Sequence, residues 1–365
     1  MKAAVLREVG QPLQIEEVSI GKPGPREVLI RTKAAGVCHS DLHFVEGSYP
    51  HPLPAVLGHE SAGIVEAVGS EVRTVKVGDH VITCLSAYCG HCEVCLTGHM
   101  SLCVSPETKR AKGEEPRLFR EDLSGSGDTK MAQFLNLSSF AEQMLVHEHA
   151  CVAIRRDMPF DRAALIGCSV MTGVGAVIHT SGVRPGETVA VIGCGGVGLA
   201  TINGAAMAGA GRIIAIDRIP SKLELARQFG ATDVIDASED PVKQVQELTG
   251  GGVHHSFEAI GLKVTAEQAF KMLRRGGTAN IIGMIPVGTM IELHGPDFLG
   301  EKKIQGSFMG SNRFPVDMPR LVDAYMAGKL KLDELISRRI RLEEVNSAFD
   351  ELKRGELARS VIVFD

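Results

Sequence analysis

Within six positions near the amino terminus the chain places Cys38, His39, Ser40, Asp41 and His43, and an apolar, proline-rich span then leads to Gly58, His59 and Glu60. Thiolate and imidazole are the side chains zinc prefers, and a catalytic zinc takes three protein ligands with a fourth position left open. Cys38 and His59 can supply two of the three. Ser40 and His43 are near enough to Cys38 to serve whatever binds at the open position, one passing a proton and the other receiving it. Asp41 and Glu60 are carboxylates suited to orient a ring nitrogen or tune the metal's charge from behind the ligands. Taken alone, one Cys and one His about twenty residues apart favour a plain turn with a buried cysteine and surface histidines. The rest of the chain reverses that reading.

The strongest local signal is Cys89, Cys92, Cys95 and Cys103. Three cysteines at intervals of three and a fourth eight residues later can wrap a tetrahedral ion, which predicts a closed, structural zinc site. A disulfide set is the alternative, and nothing in the sequence points to secretion. Further on, Ile166, Gly167, Cys168 and Ser169 stand near the start of an apolar helix expected over 163–180, and Cys168 is the natural third partner for Cys38 and His59. A lone buried cysteine is the plainer account of it. A second motif follows at Gly193, Cys194, Gly195, Gly196, Val197 and Gly198, after a continuous apolar strand over 188–192 and before an apolar helix. The next strand ends in Asp217, nineteen residues beyond Gly198. Such glycines let the backbone approach a pyrophosphate at a helix amino terminus, and the acid accepts hydrogen bonds from an adenosine ribose. Asp217 favours NAD over NADP, because it would repel a 2′-phosphate; the adjacent Arg218 works against that preference.

These motifs need two kinds of scaffold. The 365 residues suffice for two domains, and 44% hydrophobic content with a net charge of −5 fits a globular protein without a nucleic-acid-binding surface. Nine cysteines, clustered rather than spread, suggest metal ligands in a reducing compartment. The first residues carry no signal-peptide pattern, so a cytoplasmic protein is expected. The uncharged window Thr188 to Gly211 is long enough for a bilayer, but seven glycines and Asn203 interrupt it, so no membrane span is expected. Short strands over 2–6, 28–33, 61–68 and 80–83, punctuated by Gly and Pro, predict a mostly β first domain. The polar segment Val104 to Asn136, with Lys109, Arg110, Lys112, Glu114, Glu115, Arg117, Arg120, Glu121, Asp122 and Ser124 to Asp128, reads as a solvated loop, with a lid or a subunit contact as the alternative. Alternating strands and helices from 188 to 308 predict six parallel strands in a doubly wound sheet. The tail, 313–365, reads as two amphipathic helices and a final strand over 360–364 that returns to the first domain. The chain is therefore α/β, with a catalytic domain over 1–169, a cofactor domain over 170–308 and a return over 309–365.

With these motifs in this order, nearly the whole chain resembles the zinc-dependent medium-chain alcohol dehydrogenases. That resemblance implies a GroES-like catalytic domain beside a Rossmann domain, NAD as cofactor and two zinc ions per subunit. It implies that Cys38, His59 and Cys168 hold the catalytic zinc, and Cys89, Cys92, Cys95 and Cys103 the structural one. It places His39 beside the cofactor pyrophosphate, Lys222 near the adenosine ribose, and Arg359 at another phosphate. The segment after Cys103 resembles the loop of the dimeric, animal- and plant-like branch, which implies a homodimer. In the implied reaction zinc acts as a Lewis acid on an alcohol oxygen. Ser40 accepts the hydroxyl proton and passes it through the nicotinamide ribose to His43, partly protonated near neutral pH. Glu60 and Asp41 support the metal from behind.

Ser40, Tyr49, Leu85 and Phe140 offer an apolar pocket with one small hydroxyl, that of Ser40, which points to primary alcohols larger than ethanol, medium-chain or aromatic. The rival within the family is S-(hydroxymethyl)glutathione. Gly47 and Tyr49 do not match the acidic residues that would grip it, and Glu107 stands near where a base is wanted, although Lys109 or Arg110 could substitute. A non-catalytic, zinc-stabilised binding protein is the alternative of another class. Cys84, Cys151 and Cys194 read as apolar fillers, Cys194 with some sensitivity to thiol reagents, and His91, His99, His147, His149, His254 and His255 as surface or loop residues.

Overall fold

Glu27–Val37 is the longest strand of the amino-terminal unit, and its alternating apolar residues bury Val28 and Ile30 completely. The computed structural model describes residues 1–111, 113–120, 129–355 and 358–365. By internal contacts these form two units: Met1–Cys168 with Arg313–Met326 and Leu332–Asp365, and Ser169–Asn312 with Ala327–Lys331.

In the first unit, Glu27–Val37 is central to a seven-stranded sheet that runs Cys151–Ile154, His80–Thr83, Ser61–Val68, Glu27–Val37, Arg359–Val363, Ile336–Ile340. On one edge it pairs with Ser61–Val68 along most of its length. On the other it is shared, Gln143–His147 pairing with residues 27–31 and Arg359–Val363 with residues 34–37. The carboxy-terminal strand thus reaches the end of Glu27–Val37 that leads into Cys38. Ile336–Ile340, parallel to Arg359–Val363, is a strand the sequence reading of the tail did not contain. A second, six-stranded sheet runs Gln14–Glu17, Lys2–Leu6, Ala55–Val56, Thr129–Gln133, Leu118–Arg120, Ser19–Ile20.

That second sheet corrects the reading of Val104–Asn136 as a solvated loop. Leu118–Arg120 and Thr129–Gln133 pair antiparallel, and Leu118, Met131 and Phe134 are buried. Lys112, Glu121, Asp122 and Ser124–Asp128 lie outside the described residues. The segment is anchored by charge. Glu27 accepts hydrogen bonds from Arg117 Nε (2.7 Å), Arg110 Nη2 (2.6 Å) and the Gly24 amide (2.8 Å). Arg110 also donates to the carbonyls of Glu115 and Lys22, and Arg117 to Gln133. Polar composition made this stretch read as solvated, yet Arg110 and Arg117 are spent on a buried carboxylate.

The second unit is a six-stranded parallel sheet ordered Asp233–Asp236, Arg212–Asp217, Thr188–Ile192, Val253–Glu258, Leu273–Ile281, Lys303–Gly306. Ala190, Ile192, Ile214 and Ile216 of its central strands are buried in one cluster with Val245 and Phe270 of the covering helices. Both faces are covered, which explains the continuous apolar runs. The window Thr188 to Gly211 is thus a core strand followed by the buried helix Gly196–Met207. Among the described residues the helix long and apolar enough for a bilayer is Phe160–Ser181, with 22 residues and a mean hydropathy of 1.6. It is mostly buried, as a core helix is, and two π-helical stretches, Ile166–Val170 and Ala176–Ser181, interrupt it.

Burial alone would raise the Glu27 carboxyl, but the Arg110 hydrogen bond and the Arg117 charge bring it down to about 2. Its pairing therefore stabilises the fold above the ordinary value of 4.5 and loses that contribution as pH falls toward 2. Glu27→Ala, which leaves two arginines without their partner, is expected to lower stability by about 3 kcal/mol in urea denaturation at neutral pH. The difference from wild type should shrink as the pH is lowered through that window.

Candidate metal centre and cofactor site

The strand Glu27–Val37 ends at Cys38, which takes an extended conformation and opens the short helix His39–Val45. Asp41, in the first turn and fully buried, turns its carboxylate back on three groups. Oδ2 accepts the Cys38 amide (3.1 Å), and Oδ1 accepts the Gly58 amide (3.2 Å) and faces His59 Nδ1 at 2.9 Å. An ionised carboxylate only accepts, so Nδ1 carries the proton and the Nε2 lone pair of His59 is left for another partner. Nε2 lies 3.3 Å from Cys168 Sγ. Cys168 itself sits in the π-helical stretch Ile166–Val170, a local widening of the helix often found at functional sites.

The ligand atoms of Cys38, His59 and Cys168 all lie within 4.8 Å of one another, and all three residues are buried. With Zn–S near 2.3 Å and Zn–N near 2.0 Å, tetrahedral ligand atoms sit about 3.5 to 3.8 Å apart, so this donor set fits zinc. The thiols share charge: the hydrogen bond from Cys168 holds Cys38 toward thiolate, and the same contact pushes Cys168 upward. Ser40 Oγ is 3.6 Å from Cys38 Sγ. His43 is half-buried, and burial lowers its pKa against the opposing pull of Cys38 and Glu46, which favours the neutral ring. His39 is exposed, its ring centroid 5.5 Å from that of His43.

Glu60 is fully buried and pairs with Arg359 at 3.4 Å. A Cβ at Gly36 would overlap its carboxylate, so the strand must carry glycine there. Arg359, 3% exposed, also donates to the Val37 carbonyl (3.2 Å), a position set by the pairing of Ser360 with Val37. Burial opposes its charge, but Cys38, Glu60 and Cys168 hold it protonated. The partners described for Arg359 therefore belong to the metal centre; its buried Nε has no hydrogen-bond partner among the described residues.

Aromatic rings flank the centre. Phe134 stands edge-on to Phe44 (4.8 Å between centroids) and His51 (5.3 Å), and 6.0 Å from the ring of His59. Tyr49 joins the set at 5.8 Å from Phe44 and 6.3 Å from His43. Phe44, His51 and Phe134 were missed in the sequence, where no periodicity links residues 44 and 134. Phe140, expected at the pocket, is instead fully buried in the core, 6.3 Å from Phe349. Leu85 and Tyr49 are half-buried.

The second cluster has Sγ separations of 3.5 Å for Cys92 and Cys95, 3.8 Å for Cys103 with Cys92 and with Cys89, and 4.0 Å for Cys89 and Cys95. Thiolates around one zinc stand about 3.8 Å apart. The amides of Cys89 and Cys92 donate to Cys103 and Cys89, as they do where sulfur carries charge. Cys84 and Cys151 are buried thiols pushed up to about 12 by burial.

In the parallel-sheet unit, Gly193 has a φ of +95°, and a Cβ at Gly198 would overlap its carbonyl, so the turn into Gly196–Met207 closes only with glycine. Among the described residues nothing lies within 4 Å of where a Gly195 Cβ would stand, which leaves room for a phosphate above the helix start. Asp217 is fixed by two amides, Cys194 to Oδ2 (2.7 Å) and Ile219 to Oδ1 (3.0 Å). Val197 and Lys222 are half-buried and Arg218 is exposed. Cys194 is fully buried and burial raises its thiol, so the sensitivity to thiol reagents expected of it has no exposed sulfur to act on. His147 and His255 are likewise buried rather than on the surface.

Because Asp41 holds both the Cys38 backbone and the His59 ring, Asp41→Ala should weaken zinc at this centre about 10- to 100-fold. Metal analysis after mild chelation should then find one zinc per subunit retained at the four cysteines.

Two family models match the chain: the alcohol dehydrogenase GroES-like domain over residues 24–156 and the zinc-binding dehydrogenase over residues 196–324. An S-(hydroxymethyl)glutathione dehydrogenase of Synechocystis sp. is 40% identical over 99% of both chains. The crystal structure of benzyl alcohol dehydrogenase from Acinetobacter calcoaceticus superposes with a TM-score of 0.91, at 34% identity over 100% of this chain and 99% of that one. A zinc-binding dehydrogenase structure from Sinorhizobium meliloti, bound to NADP, gives 0.80 at 30% identity over 100% and 99%. Matched along its whole length and carrying both cysteine-rich centres, the chain belongs to the zinc-dependent medium-chain alcohol dehydrogenase family.

Proposed function

We propose that this enzyme oxidises apolar primary alcohols, aromatic or medium-chain, reversibly to aldehydes with NAD. The observation that carries the reading is the buried Cys38, His59 and Cys168 set with Ser40 and His43 beside it. Zinc bound there supplies Lewis acidity to an alcohol oxygen. In this reading Ser40 takes the hydroxyl proton and His43, whose pKa burial lowers, receives it. NAD serves as hydride acceptor, and Asp217, held by two amides at the glycine loop, favours it over NADP. The similarity to a benzyl alcohol dehydrogenase and the rings of Tyr49 and Phe44 support an apolar substrate. A cytoplasmic homodimer remains part of this reading, on the resemblance of the segment after Cys103 to the dimeric branch.

The second reading, S-(hydroxymethyl)glutathione, is favoured by the relative from Synechocystis sp.. Against it, Arg110 is spent on Glu27 and Glu107 faces His91 at 3.3 Å, while Gly47 and Tyr49 offer no carboxylate for the peptide's amine. Of the basic residues suggested for that grip, Lys109 is exposed. The complete ligand set speaks against a non-catalytic binding protein.

With NAD, kcat/KM for benzyl alcohol or octanol should exceed that for S-(hydroxymethyl)glutathione by at least about tenfold, a difference near 1.4 kcal/mol; the reverse ranking would establish the second reading. His43→Ala should slow turnover about tenfold or more at low pH and recover at high pH, where solvent can take the proton. An unchanged pH profile would remove His43 from the relay.

A further inference from the structure

Glu258 ends the strand Val253–Glu258, opposite Ile192 at the end of Thr188–Ile192. Strand order reverses between these two strands, and in an open parallel sheet the ligand crevice lies at such a point, outside the carboxyl ends. The glycine loop and Asp217 belong to the half containing Thr188–Ile192 and Arg212–Asp217. The other half has no charged residue assigned to it by sequence or family motif.

Glu258 is fully buried. Its Oε1 accepts three hydrogen bonds, from the amides of Ile260 (2.9 Å) and Gly261 (2.8 Å) and from Thr265 Oγ1 (2.7 Å). These close the turn after the strand and fix the first turn of the helix Lys263–Lys271. Its backbone carbonyl accepts the amides of Ile282 and Gly283, which ends the neighbouring strand Leu273–Ile281. The two loops interlock: a Cβ at Gly283 would overlap the Gly261 amide and lie 2.5 Å from Glu258 Oε2, and one at Gly261 would meet Met284. The apex of the first loop, Ile260, is 41% exposed and lies against Gly193 of the glycine loop. Oε2 is buried with no hydrogen-bond partner among the described residues. Leaving a carboxylate oxygen unpaired costs more than a neutral group capable of the same three contacts.

We propose that Glu258 is the positioning residue for the nicotinamide half of the cofactor, its side chain setting loop 259–262, against which Gly283 of loop 282–284 packs. This rests on the reading of the cofactor as a nicotinamide dinucleotide. Glu258 acts through the loops and does not take part in the chemistry. An acceptor with three donors converging on one oxygen fixes a loop apex that a shorter side chain would leave free.

The test is fluorescence titration of the zinc-loaded enzyme with NADH, and competition by ADP-ribose, which lacks the nicotinamide. Glu258→Ala should weaken NADH at least tenfold and change ADP-ribose less than twofold, while Glu258→Gln, which keeps the accepting oxygen, should restore NADH to within about threefold of wild type. Gly283→Ala, which presses on Glu258 and Gly261 from the other loop, should show the same split and serves if Glu258→Ala does not fold. Equal loss of both ligands, or no loss of NADH, overturns the proposal. Failure of the wild type to bind NADH would instead overturn the cofactor reading.

Discussion

The metal centre depends on one buried carboxylate. Asp41 accepts from the backbone of one ligand, from the backbone before a second and faces the ring of that second ligand, so the end of a strand, a short helix and a distant turn are fixed relative to each other. A fully buried carboxylate is tolerated because its acceptor sites are occupied. The same contacts choose the tautomer of His59, which presents Nε2 to the thiols. Phe134, fully buried, stands edge-on beside that ring.

Behind this centre the charges are balanced in layers. Two thiols and an imidazole suit a divalent ion, and Glu60 with Arg359 forms a second pair beneath them. Arg359 arrives there on the last strand of the chain, through the register that sets Ser360 against Val37. The carboxyl terminus therefore completes a site whose first ligand lies near the amino terminus. Stability and the metal centre are coupled through that strand.

The segment after Cys103 shows how charge can fold rather than solvate. Glu27 lies on the same strand that leads to Cys38, and it draws Arg110 and Arg117 into buried contacts that seat a strand pair on the second sheet. Arg110, suggested by the sequence as a grip for an anionic substrate, is thereby turned inward, while Lys109 stays exposed. In the parallel sheet Glu258 is a comparable hub, with one loop closed on its side chain and the next on its backbone carbonyl.

The sequence by itself determined the cysteine and glycine motifs and most of the elements. Cysteine spacing at 89, 92, 95 and 103, the glycines from 193 to 198 with Asp217, and the strand and helix periodicities are local, because each depends on residues a few positions apart. The parallel sheet was legible for that reason, down to its six strands. Only the tertiary structure decided what depends on residues far apart in the chain. The convergence of Cys168 on His59, the place of Arg359 beneath the thiols, the removal of Phe140 to the core and the arrival of Phe134 beside the site all follow from strand register and packing. Polar composition misled at Arg110 and Arg117, and the buried role of Glu258 left no trace in pattern, because a carboxylate's partners are chosen by the fold and not by its neighbours in sequence.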